Sequence, residues 1–373
     1  MDLRDFTTIR VGGAAAQFFA PETREQLIET TRSVWATGDD WLALGGGSNL
    51  VVADEGVPGT VIHVVTRGIE RLPGDTPVLR VQAGESWDGL VAAAVEEGWA
   101  GIEALSGIPG SCGAAPIQNI GAYGQELAST LVSIEFFDYL SGELLRLPAA
   151  ELDFGYRRSA LKGGRPGMVI STDLALSQND GALSDPIDHS QLATALGATV
   201  GDRLPVAEVR AAVLALRGAK GMLLNPADPD SVSAGSFFTN PIVSHEFARS
   251  LPSDVPRWPM TTGSIVGSSP AVNPTVTPLE AYDPARLSPA VATASGGVKL
   301  SAAWLIEHSG VTRGFRLPGS RAAISSKHSL AITNTGGATA TQVAELARYI
   351  QTRVLGAYGV LLQPEPVLVG VKV

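Results

Sequence analysis

Apolar residues recur at helical spacing in several stretches of the chain. Leu27, Ile28, Thr31, Val34 and Trp35 fall on one face of a helix opened by Pro21 and Glu22. Leu90, Val91, Ala94 and Val95 share a face in a segment capped by Ser86 and ended by Gly98. Val206, Val209, Val213 and Leu216 predict another helix, running toward Arg217 and Lys220. Val343, Leu346, Ala347, Ile350 and Val354 predict the longest, started by the capping-box pair Thr339 and Gln342. A further helix is expected around residues 299–308. Shorter apolar runs predict strands at 61–65, 78–84, in VSIEFFD and MVISTDLAL, at 233–244 and after Pro366. WLALGGGSNLVVAD reads as strand, turn, strand. Strands dominate residues 1–200 and helices follow, which is an α+β pattern.

One stretch fits neither period. GIPGSCGAAPIQNIGAYG (107–124) has glycine at 107, 110, 113, 121 and 124, two prolines and no charge. Its breakers forbid a regular element, and its glycines permit close backbone approach. Such a run suits a large flat ligand held by main-chain groups, with Gln118 and Asn119 on a heterocycle edge. A buried, tightly turned loop has the same composition. The Gly45-Gly46-Gly47-Ser48-Asn49 turn is neither a dinucleotide-binding GxGxxG nor a P-loop with its lysine. It can form an anion nest or a plain hairpin turn.

Composition narrows the classes. A chain of 373 residues is two or three domains. A net charge of −10 disfavours nucleic-acid binding, which needs basic surface. An anionic small molecule would need a local basic pocket. The single Cys112 excludes an intramolecular disulfide and a cysteine-rich metal site, and the histidines (63, 189, 245, 308, 328) are scattered, so no metal is expected. The N-terminus lacks the apolar core of a signal peptide, and no run has the length of a membrane span. A cytoplasmic protein without membrane insertion is expected. Residues 251–298 hold eight prolines with weak periodicity and read as a long surface insertion.

GGGSNL (45–50), GIPGSCGAAPIQNIGAYG, FGYRRSALK (154–162), AGSFFTNP (234–241) and QPEP (363–366), in this order, resemble the UDP-N-acetylenolpyruvoylglucosamine reductase family. The resemblance implies a two-part FAD-binding module of the vanillyl-alcohol-oxidase type, at 1–70 and 71–203. A C-terminal α+β substrate-binding domain would follow at 204–373, its last strand returning to the FAD module. It also implies bound FAD, NADPH as co-substrate, and reduction of UDP-N-acetylglucosamine enolpyruvate to UDP-N-acetylmuramate; separately, a monomer is expected. The implied cofactor-binding residues are Gly45, Gly46, Gly47, Ser48, Asn49, Ile108, Pro109, Gly110, Ser111, Gly113, Gln118, Asn119, Gly121, Ala122 and Tyr123. Ser236 would donate the proton, Arg157 would hold the substrate carboxylate, and Glu365 would complete the charged site. Tyr156, Lys220 and Asn240 would bind substrate, with Arg217 suggested only by proximity. Cys112 would be a small apolar filler. His189 stands where some family members carry a tyrosine that closes over the nucleotide. The alternatives are an FAD-dependent oxidase of a sugar or alcohol, and a flavin- or nucleotide-sugar-binding protein without turnover.

Overall fold

The computed structural model describes residues 1–260 and 297–373, so most of the insertion expected at 251–298 lies outside the described residues. The first sheet is parallel. Val57–His63 runs between Ala15–Phe19 and Trp41–Leu44. Parallel neighbours need a crossover, and helix α1 (Arg24–Thr37) supplies one between the two outer strands. Thr23 caps it by accepting from Gln26 N, and its buried face is Leu27, Ile28, Thr31 and Val34.

The second sheet is antiparallel, in the order Leu144–Pro148, Leu131–Asp138, Gly167–Ala175, Val78–Gln82, Ile69–Leu72. Its inward residues, among them Val81, Ile134, Phe136 and Ile170, pack in one core with helix α2 (Trp87–Glu96). Ser86 caps α2 by accepting from Gly89 N, and Gly98 follows its end at φ +73°. Two helices absent from the apolar pattern, α3 (Ser190–Ala195) and α5 (His245–Ser250), are only six residues long, too short to show a period. Helix α4 (Val206–Ala219) packs with α3 in a small core of Ile187, Leu192, Val209 and Val213.

Helices α6 (Ala302–His308) and α7 (Ala340–Tyr358) share a C-terminal core with two small antiparallel sheets. In one, Ala331–Asn334 lies between Ser233–Ser236 and Ala322–Ile324; in the other, Val298–Leu300 lies between Ile242–Val243 and Arg257–Pro259. Residues 233–244 are therefore two strands in separate sheets, not one. Pro241, which has no N–H to give a ladder, interrupts the run, and Phe237 and Phe238 between the two strands are both 1% exposed. Lys299 belongs to a strand, and α6 begins only after its cap Ser301. The strands flanking GGGSN do not pair with each other. Trp41–Leu44 joins the parallel sheet, while Leu50–Val52 pairs in parallel with the last strand, Val367–Val369.

The long C-terminal helix is anchored on the N-terminal part of the chain. Asp54 accepts Ala340 N at 2.7 Å and Thr341 N at 3.0 Å, satisfying first-turn donors of α7 beside the Thr339 cap. Asp54→Ala leaves those donors without a partner. It should cost about 1–2 kcal/mol, read as a lower urea midpoint with an unchanged slope.

Candidate functional site

The two glycine-rich segments meet backbone to backbone. A Cβ built on Gly46 would lie 2.7 Å from Gly110 Cα, a distance no side chain tolerates. Gly110 itself sits at φ +132°, outside the range of L-residues. Ser48 Oγ donates to Pro109 O at 2.7 Å, and Trp87 N donates to Gly110 O, which ties the second loop to the start of α2. Together these loops wall a cavity of about 430 Å³.

Of the expected cofactor residues, 45–49, 108–111, 118 and 121–123 line this cavity; 113 and 119 do not. Gly113 packs on the antiparallel sheet, donating its N–H to Ala83 O at 2.8 Å. Asn119 is 1% exposed and its carboxamide is used internally: it accepts Ala128 N and donates to Glu126 and to Gly155 O. The structure thus gives the Asn119 side chain to the folding of its own loop. Cys112 is buried in the adjacent core, where desolvation pushes its thiol pKa far up, as suits an apolar filler.

Arg157 and Glu365 form an ion pair on the cavity wall. Arg157 Nε lies 2.8 Å from Glu365 Oε1, with the side chains 20% and 12% exposed. The same guanidinium donates to Gly121 O at 2.7 Å and Asn119 O at 3.3 Å. Arg157 holds φ +53°, and Asn119 and Tyr123 are also left-handed at +49° and +48°. Such backbone strain persists only where surrounding bonds impose it. Glu365 is placed from the other side: its N–H donates to Phe237 O at 2.9 Å, and Thr239 N donates to Gln363 O at 3.0 Å. Ser236 is the neighbour of Phe237, so the pairing of 237–239 with 363–365 delivers Ser236 and Glu365 to one cavity.

Ser236 ends the strand that pairs with Ala331–Asn334, in register with Ala331. The turn before that partner strand carries His328, whose Nε2 is 3.3 Å from Ser236 Oγ. No motif in the sequence marks His328, and only strand pairing brings it here. Burial lowers its pKa, with Lys220, Arg313 and Arg217 adding to the effect, so it is pushed down from 6.5 to about 4. The ring is neutral near pH 7.

Lys220 and Arg217 also line the cavity. Lys220 Nζ donates to Gln191 and lies 5.6 Å above the Tyr123 ring. Arg217 is 8% exposed, and its Nε has no hydrogen-bond partner among the described residues. Burial depresses the pKa of both. A buried cation with an idle donor is an anion site in waiting. His189 is on the wall, edge-on to Tyr123 at 5.3 Å. Tyr156 and Asn240 lie outside the wall: Tyr156 Oη accepts Asn240 N at 3.4 Å, and Asn240 Oδ1 accepts Ala302 N at the start of α6. Lys299, which no motif marked, lies 5.0 Å above the Tyr156 ring.

The chain is similar to known proteins over its whole length. A family model described as UDP-N-acetylenolpyruvoylglucosamine reductase, C-terminal domain, matches residues 227–369, and one described as an FAD binding domain matches 15–148. The UDP-N-acetylenolpyruvoylglucosamine reductase of Leifsonia xyli subsp. xyli is 56% identical, covering 99% of this chain and 98% of its own. That of Thermobifida fusca is 45% identical, with 99% and 97% covered. The crystal structure of UDP-N-acetylenolpyruvylglucosamine reductase from Thermus caldophilus matches with a TM-score of 0.62 at 27% identity, covering 99% and 97%.

The cavity fits an FAD on its own terms, because its wall is bare backbone of two loops packed so closely that a Cβ at Gly46 would force them apart. Gly46→Val should therefore weaken FAD retention at least tenfold, about 1.4 kcal/mol, while far-ultraviolet circular dichroism stays native; the ratio of flavin to protein absorbance reads it. The depressed histidine gives a second expectation. Between pH 6.5 and about 4 an unfolded chain protonates His328 and the native one does not, so stability should fall as pH falls through that window. His328→Gln should make this part of the pH dependence of the urea-unfolding free energy less steep.

Proposed function

The chain belongs to the UDP-N-acetylenolpyruvoylglucosamine reductase family, and on that premise we propose which side chains carry its reaction. The protein is an FAD-dependent oxidoreductase of peptidoglycan precursor synthesis, which reduces UDP-N-acetylglucosamine enolpyruvate to UDP-N-acetylmuramate with NADPH as co-substrate. FAD, when bound, supplies the two-electron carrier between the nicotinamide and the enolpyruvyl ether. Residues 45–49 and 108–111 would hold it.

The chain itself must orient the enolpyruvyl group, offset charge that builds beside its carboxylate, and supply a proton. Arg157 is the carboxylate ligand in this reading. Its fork is fixed by the carbonyls of Asn119 and Gly121 and by Glu365, so it meets developing charge without reorganising. Glu365 keeps the guanidinium in place and completes the charged site. Ser236 is the proton donor, and the observation that carries the assignment is its delivery beside Glu365 by the 237–239 and 363–365 pairing. Lys220 and Arg217 are the cations available to a diphosphate, which an acidic chain needs locally. We place Tyr156 and Asn240 in support of Arg157 and α6 rather than in contact with substrate. We take a monomer as the working unit, and a soluble nucleotide sugar favours the cytoplasm. Among the described residues no helix is long and apolar enough to cross a membrane.

Ser236→Ala tests the assignment by separating the half-reactions. Flavin reduction by NADPH should keep its rate, and reoxidation by the enolpyruvyl sugar should slow on the order of 100-fold or more. Equal loss in both halves, by stopped-flow absorbance, would make Ser236 structural.

A further inference from the structure

A serine hydroxyl is a weak acid, and its rotor is free to point its proton anywhere the surroundings allow. Among the described residues Ser236 has one titratable neighbour within hydrogen-bond distance, His328, at 3.3 Å from Nε2 to Oγ. A single proton lies between those atoms, so there are two arrangements. If the hydroxyl donates, its proton points at the ring and is lost to the substrate. If Nε2–H donates, the hydroxyl proton is left to face the cavity. Resting on the assignment of Ser236 as proton donor, we propose that His328 is its positioning residue: Nε2–H donates to Ser236 Oγ, aims the hydroxyl proton at the substrate, and shares the charge left on oxygen.

The surroundings hold the ring neutral and fixed in place. Burial, with Lys220, Arg313 and Arg217 adding to it, keeps the imidazole neutral, so it carries one N–H and is no proton source in its own right. What it can give is a fixed hydrogen bond. The turn that bears it is tied down on several sides. Ser325 Oγ accepts the N–H groups of Lys327 and His328 at 3.0 and 3.1 Å. Ser326 donates its N–H and hydroxyl to Asp230, both at 2.7 Å, and Lys327 Nζ donates to Asp228 at 2.8 Å. Ala331 N closes the turn on His328 O at 3.1 Å. A donor held this way needs no rearrangement when charge appears beside it.

The step balances with one proton drawn finally from solvent water. Once a hydride has reached the vinyl carbon, the electron pair of the double bond rests on the neighbouring carbon, next to the carboxylate. That carbon takes the Ser236 proton, the O–H bonding pair stays on Oγ under the Nε2–H hydrogen bond, and water then restores the hydroxyl.

The experiment compares His328→Leu with His328→Gln in the holoenzyme, since a glutamine amide N–H can reach where Nε2–H stood. His328→Leu should slow flavin reoxidation by UDP-N-acetylglucosamine enolpyruvate on the order of tenfold to 100-fold. Flavin reduction by NADPH and equilibrium binding of the enolpyruvyl sugar should change less than about twofold, and His328→Gln should recover most of the loss. In a Ser236→Ala background, His328→Leu should add nothing. Nitrogen-15 correlation spectra of the imidazole, which need no turnover, should show the Nε2–H tautomer. An Nδ1–H tautomer, failure of glutamine to rescue, or equal loss in both half-reactions would overturn the inference. If Ser236→Ala is slow and His328→Leu is not, His328 alone is rejected. If Ser236→Ala is fast, the assignment of the donor falls first.

Discussion

The site depends on one node, the QPEP segment around Glu365. Its carboxylate meets Arg157 Nε at 2.8 Å, and its N–H reaches Phe237 O beside Ser236. Its carbonyl accepts from Asn49 and from Lys162, at 3.3 and 3.2 Å, and Gln118 approaches its carboxylate at 3.4 Å. Two residues on, Val367 N donates to Asn49 O, starting the strand pair that returns the chain end to Leu50–Val52. Every motif that marked the chain is thereby joined at one place: the glycine turn, the cradle, the GYRRS segment, the FFTNP segment and QPEP. A buried ion pair earns little stability by itself, since desolvation offsets much of its attraction, but removing one partner strands the other charge. The pair is better understood as a device that fixes a geometry.

Electrostatics sharpen that view. The chain carries a net charge of −10, yet the cavity gathers Arg157, Lys162, Arg217 and Lys220. Burial lowers the pKa of Lys162, Lys220 and Arg217, and the acidic side chain among the residues named on this wall is Glu365, already engaged with Arg157. Cations that pay desolvation without a matching carboxylate are stable only if the rest of the fold holds them, and they are then ready for an anionic ligand. A nucleotide-sugar diphosphate and a carboxylate supply that charge.

The long helices were legible because their apolar faces are periodic and their caps are local: Ser86 and Thr339 cap as their spacing predicts. The strand content of residues 1–200 was legible too, but not its pairing, which is a long-range matter. That is why GGGSN looked like a hairpin turn, although its flanking strands enter different sheets. The motif residues were legible only as a constellation; nothing local distinguishes Arg157 from Arg158, whose partner Asp153 lies four residues before Arg157. That the Asn119 carboxamide bonds within its own loop was not legible, because composition cannot tell which carboxamides a loop consumes to fold itself. His328 was invisible for the opposite reason. Its place follows from the register of Ser236 with Ala331, a contact between segments about 90 residues apart in sequence.

Strain and rigidity complete the account. Two non-glycine residues in the left-handed region, Asn119 and Arg157, are joined directly, since Arg157 donates to the carbonyls of Asn119 and Gly121. Each such residue costs of order 1–3 kcal/mol, so the pair holds only because the bonds on both sides over-determine it. Those bonds run through Glu365 to the strand that ends at Ser236, and through that strand to the turn of His328. A carboxylate ligand, a weak acid and the group that orients the acid are therefore fixed in one frame. A weak acid such as serine requires this arrangement, because its proton is delivered by placement rather than by acidity.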